Sequence, residues 1–71
     1  MHEIGDIVSV GNSEFVITQI PSRLNRFCNG NVKPTEYGVV STNSSVRIKQ
    51  GLVEDIVDDS DITKTHKSVN I

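Results

Sequence analysis

The sequence predicts a mostly β domain, on three observations. The aliphatic side chains are 8 Ile and 10 Val against 2 Leu, 1 Met and no Ala. Branching at Cβ stiffens χ1 and suits a pleated surface, whereas Ala and Leu are preferred helix formers. Apolar and polar residues also alternate through several short runs. Between the runs stand clusters such as Gly11-Asn12-Ser13 and Thr42-Asn43-Ser44-Ser45, the residue types of tight turns.

The elements follow in chain order. Residues 4–10 form a first strand with Val8 and Val10 on one face and Ile7 and Ser9 on the other. Gly11 and Asn12 tolerate the positive φ that a hairpin turn demands. A second strand over 14–20 carries Phe15 and Ile17 on one face, Val16, Thr18 and Ile20 on the other, and Pro21 ends its pairing for want of an N–H. Residues 21–35 show no sustained period and carry three positive charges, Arg23, Arg26 and Lys33, with no negative one. Loops of ~12–15 residues without structure are uncommon in compact domains and are often functional. Residues 36–41 read as a third strand with Tyr37 and Val39 sharing a face, and Gly38 marks a bulge or a close backbone approach. Val46-Arg47-Ile48-Lys49 alternates apolar and basic and predicts a fourth strand, ended by Gln50-Gly51. Residues 52–57 fit both helical and strand spacing, and a short turn leading into a last strand satisfies both. From Asp58 onward isolated apolar residues stand among polar ones, which predicts a frayed tail after about Ile62.

A chain of 71 residues and 7.8 kDa holds one small domain, predicted over 1–62 with a flexible tail over 63–71. Its apolar fraction is 35%, below the ~45–50% of average chains, a figure that also counts Gly. Domains near this size bury only about 60% of the surface of the unfolded chain, and many add a disulfide, a metal or a partner chain. Cys28 stands alone, so no intrachain bridge forms; beside Phe27 it reads as a small half-buried hydrophobe in a reducing compartment. No apolar run approaches the ~18 residues of a membrane helix, and the first residues lack the basic and apolar regions of a secretory signal. The expected location is the cytoplasm, without membrane contact.

The chemistry-bearing residues do not assemble into a catalytic pattern. His2 lies at a terminus and His66 in the predicted tail, so neither is placed to serve a nucleophile. No phosphate loop, zincin pattern or elbow serine is present, and one Cys with two distant His makes no zinc site. The run Asp58-Asp59-Ser60-Asp61 resembles a fragment of a calcium loop, without the required Gly and closing Glu. Asn43-Ser44-Ser45 matches a glycosylation sequon and reads as a turn. The expectation is a non-enzyme with no cofactor and no metal.

Charge is laid out unevenly. Five basic and four acidic residues fall in the first fifty positions, two basic and five acidic in the last twenty-one, for a net charge of −2. Glu54, Asp55, Asp58, Asp59 and Asp61 form an acidic edge: a solvated surface, or one that meets a basic patch on another protein. Arg23, Arg26 and Lys33, with Arg47 and Lys49, form the opposite pole, and Arg23, Arg26, Phe27, Lys33 and Tyr37 are the candidate partner-binding group because arginine and aromatic side chains are common binding anchors. An aromatic beside arginines also suits stacking on single-stranded bases, but the acidic net charge is unusual for a nucleic-acid module.

Gly5-Asp6-Ile7-Val8-Ser9-Val10, a turn, Glu14–Ile20, a long loop, Tyr37–Ser41, a tight turn and Val46-Arg47-Ile48 before a final short element resemble an SH3-like barrel. KOW and Tudor-type modules, and tiny accessory proteins of phages and prophages, open with a similar Gly-Asp-hydrophobic strand. The resemblance spans roughly residues 4–57 and implies four or five antiparallel strands curled to hide their edges. The chain lacks Trp and the aromatic-rich groove of peptide-binding SH3 domains, and it lacks the aromatic cage of Tudor modules. The expected function is a protein-interaction module, of the small phage-type inhibitor or adaptor kind, binding a host protein through the 21–35 loop, the 54–61 edge or both. The alternatives are a nucleic-acid-binding barrel and a structural subunit of a larger assembly. A homodimer paired along an edge at 46–49 is a further expectation.

Overall fold

The computed structural model describes residues 2–23 and 33–66. Five strands form one antiparallel sheet: β1 (Ile7–Val10), β2 (Ser13–Gln19), β3 (Glu36–Ser41), β4 (Asp55–Asp58) and β5 (Lys64–His66), in the order β4-β3-β2-β1-β5. A short helix α1 (Ser45–Lys49) separates β3 from β4, and a 3-10 turn (Asp59–Asp61) separates β4 from β5.

The Gly-Asp pair before β1 is explained by a turn over residues 3–6. Asp6 N–H donates to the Glu3 carbonyl at 3.1 Å, and Gly5 at φ 99 supplies the positive φ needed at the third turn position. The buried Asp6 carboxylate accepts from Glu3 N–H at 3.0 Å. Gly5 N–H donates to Ile17 O at 2.8 Å and Ile17 N–H to Asp6 O at 2.9 Å, which fastens the turn to β2. At the other end of β1, Val10 pairs with Ser13, leaving the two-residue loop Gly11-Asn12 with Gly11 at φ 61, as the primed turns of tight hairpins require.

The strand faces read from alternation meet as predicted. Val8, Ile17, Tyr37, Val39 and Val57 form the core cluster, with Val10, Phe15 and Ile62 packed against it. Val16, Val40 and Thr18 are also buried, on the opposite face of β2 and β3. The register shifts between Ile17 and Gln19, so the bulge signalled by Gly38 lies across from it, at Thr18. Pro21 ends β2 as expected by opening a helical turn at residues 21–23, where its missing N–H costs nothing.

The connection between β4 and β5 forces the sheet to curl. In a flat sheet the two edge strands would stand about 19 Å apart, four strand spacings. The residues from Asp58 to Lys64 include the 3-10 turn, closed by Ile62 N–H to Asp59 O, and reach only about 16 Å. Ile62 consequently lands on the same core as Val57.

Two expectations are corrected. Val46–Lys49 is not a strand but most of α1, so it offers no strand edge for pairing. The reason is its C-terminus: Gly51 takes φ 68, its N–H donates to Ile48 O at 3.1 Å, and Leu52 N–H donates to Arg47 O at 3.0 Å. That is a Schellman closure, which outweighs a four-residue alternation. Residues 64–66, expected within the frayed tail, instead form β5 and pair with β1 through Ser9, Val8 and Ile7. Backbone pairing needs no apolar side chains, so composition did not reveal β5. Residues 67–71 of the predicted tail lie outside the described residues.

Candidate functional site

The basic pole divides. Arg23 and Lys33 are both exposed, while Arg26 and Phe27 lie outside the described residues. Lys33 begins a turn in which Glu36 N–H donates to Lys33 O at 3.0 Å and Lys33 N–H to the Glu36 carboxylate at 2.8 Å, with Pro34 in the second position. Tyr37 does not belong to the partner-binding group: strand parity sends its ring into the core, where it is 5% exposed. Its hydroxyl accepts from His2 N–H at 3.3 Å, and the two rings meet edge to face at 5.2 Å. Around them lies a cleft of about 270 Å³ walled by His2, Ile20, Pro21, Ser22, Pro34 and Tyr37. Ser22 and Pro34 adjoin Arg23 and Lys33, so both ends of the basic loop flank this one cleft.

The acidic edge is largely occupied with local bonds. Glu54 pairs with Arg47 at 3.1 Å, and Asp59 Oδ1 lies 2.5 Å from His2 Nε2. Asp55 accepts from Ile56 N–H at 2.8 Å. Asp58 caps the 3-10 turn, accepting from Ser60 N–H, Ser60 Oγ and Thr35 Oγ1, each at 3.0 Å. Those bonds, the Ser60 backbone first, then the Ser60 and Thr35 hydroxyls with help from the Lys33 charge, hold its carboxyl below the usual aspartate range against a smaller opposing effect of burial. Asp61 is exposed.

A third feature lies outside both charged groups. Five large hydrophobic residues are exposed among those described, and four of them, Val46 (66%), Leu52 (46%), Val53 (39%) and Ile56 (39%), lie within eleven consecutive positions. β2 positions this stretch. Thr18 Oγ1 donates to Leu52 O at 2.7 Å, and Gln19 Nε2 donates to Gly51 O at 2.8 Å. Ile56 pairs with Gly38, the residue beside which Thr18 bulges, so Ile56 and Leu52 lie over the same outer face of the sheet. Glu54 N–H donates to Val39 O at 2.8 Å and anchors the chain between them. No α1 residue is buried.

A signal for this face was available. Basic residues followed by Gln50-Gly51 form a helix-stop pattern. Read as a helix, Val46 finds only Lys49 and Gln50 one turn on, so no apolar stripe exists to hide it.

Among the described residues no group of three or more His, Cys, Asp or Glu is placed to hold a metal ion, and no helix is long and apolar enough to cross a membrane. No protein-family model, curated protein or solved structure matches this chain.

Proposed function

We propose that this chain is a non-catalytic protein-interaction module, an SH3-like barrel of the adaptor or small-inhibitor kind. It meets another polypeptide through the face of residues 46–56 and its acidic border over 54–61. The observation that carries the reading is the cluster of Val46, Leu52, Val53 and Ile56 in the open. Scattered exposed hydrophobics are ordinary on a monomer, but four within eleven consecutive positions, over α1, the segment after it and β4, mark a contact surface. Covering four such side chains is worth on the order of several kcal/mol, before the cost of association. The barrel form is supported by the strand order, the 3-10 turn ahead of the last strand and the curl that its short connection imposes.

The carboxylates of Glu54, Asp55 and Asp58 border this face, an arrangement that favours a polypeptide over a phosphate backbone. Arg23 and Lys33 give a basic second contact beside the Tyr37 cleft. Affinity capture from the native cell, with nuclease present, tests the reading by comparing wild type with Leu52→Asp. A polypeptide bound by wild type and lost from the variant is the expected result. Material that disappears on nuclease treatment, or that binds Leu52→Asp equally well, contradicts it.

A further inference from the structure

We infer that the cleft beside Tyr37 is a ligand site for a carboxylate carried on a compact apolar body, separate from the 46–56 face. Two turns build it. Pro21 and Ser22 belong to the helical turn after β2, in which Arg23 N–H donates to Ile20 O at 3.1 Å, and Pro34 belongs to the turn that Glu36 N–H closes on Lys33 O at 3.0 Å. His2, Ile20 and Tyr37 complete the walls. At about 270 Å³ the cleft falls just below the ~300–1,000 Å³ of sites for drug-sized ligands. Its size therefore suits one ring or one branched side chain. Ile20, the two prolines and the Tyr37 ring make its walls mainly apolar.

The polar atoms select the rest of the ligand. His2 offers it no nitrogen, since Nε2 stands against Asp59 Oδ1 and Nδ1 is buried. Tyr37 is 5% exposed, and its hydroxyl accepts from His2 N–H at 3.3 Å, yet its own proton has no acceptor among the described residues. A phenol both donates and accepts, and a buried donor left unmet is costly, so Tyr37 calls for an oxygen acceptor at the cleft. Ser22 is exposed on the wall, and its hydroxyl has no partner among the described residues. Two hydroxyl donors match the two oxygens of a carboxylate. No Asp or Glu lines the cleft. Arg23 and Lys33 are exposed and each adjoins a wall residue at the ~3.8 Å spacing of consecutive Cα atoms, within reach on long flexible side chains. The Lys33 charge also acts on Asp58, which leaves Arg23 as the rim cation without an acidic partner among the described residues. A phosphate is the poorer match, because it brings three strong acceptor oxygens and nearly two charges to two hydroxyls. A free small organic acid and the C-terminal residue of a polypeptide share the chemistry that fits.

Amide chemical shifts of the full chain, followed through titrations, test the site. The probes are 3-phenylpropionate, the peptide acetyl-Gly-Gly-Phe with a free C-terminal carboxylate, and the same peptide amidated. The expected result is saturable movement of the Ser22, Lys33, Thr35 and Tyr37 amides with at least one of the two acids, bound about tenfold or more tighter than the amidated peptide. Response to 3-phenylpropionate alone identifies a free acid as the ligand, response to the peptide acid alone identifies a chain end, and response to both supports the shared chemistry. Arg23→Gln and Tyr37→Phe are each expected to weaken binding about fivefold; should loss of the hydroxyl unfold the domain, Arg23→Gln carries the test. The inference is overturned by acids that leave these amides unmoved, by an amidated peptide that binds as tightly as the acid, or by variants that bind like wild type. Leu52→Asp is expected to bind the acids as wild type does, so the loss of either the 46–56 surface or this cleft leaves the other standing.

Discussion

Gly11 and Asp58 show how single residues set local structure, and each yields a test. Gly11 sits at φ 61 with nothing within 4 Å of where a Cβ would stand, so any cost of Gly11→Ala comes from backbone conformation alone. The expected loss is about 1 kcal/mol in urea unfolding. Asp58 accepts three hydrogen bonds in the folded chain, and its carboxyl is held below the usual range. A carboxyl depressed by folding contributes stability that is present above its unfolded pKa and is lost as pH falls through the folded value. Asp58→Asn is therefore expected to lower the melting temperature near neutrality and to flatten its decline in acid. An acid limb as steep in the variant as in wild type would remove Asp58 from that role. Tyr37 illustrates the limit of residue types: an aromatic near arginines suggests a binding anchor, yet it shares its strand face with the fully buried Val39 and lies inside.

At the scale of elements, what was legible depended on what each element uses to hold itself. Strands β1, β2 and β3 rest on side-chain alternation, which sequence displays: Val8 with Val10, Phe15 with Ile17 and Tyr37 with Val39 share the faces that meet in the core cluster, although alternation alone does not say which face turns inward. Ile17→Ala is expected to cost about 3 kcal/mol, as for other buried aliphatics cut to Ala. Helix α1 reads as a strand because its last four residues also alternate; the deciding information lies in Gly51 and the carbonyls closed around it. β5 was invisible because Lys64, Thr65 and His66 are all exposed and are held by backbone pairing to β1. Deleting residues 64–71 should accordingly cost about 1–2 kcal/mol, the net worth of a few ladder hydrogen bonds, against less than ~0.5 for trimming an undocked surface segment. Urea unfolding of the truncated chain decides between these. The candidate site divides in the same way. Its charged border was legible as a run of acids, whereas its apolar centre depended on which side of the sheet the 51–56 segment crosses, set by Thr18 and Gln19 bonds that no spacing rule reveals.

For the molecule as a whole, the sheet curls around a core of β-branched side chains while the 46–56 segment is strapped to its outside. In the function proposed above, that outside strap is the surface that meets a partner. Paramagnetic relaxation by a soluble probe, read at methyl groups before and after addition of extract from the native cell, tests this most directly. Ile4, exposed at 41% on another part of the chain, is the internal reference. The account predicts that the methyls of Val46, Leu52, Val53 and Ile56 become shielded while Ile4 stays as accessible as before. Equal accessibility of all five with and without extract from the native cell would contradict it.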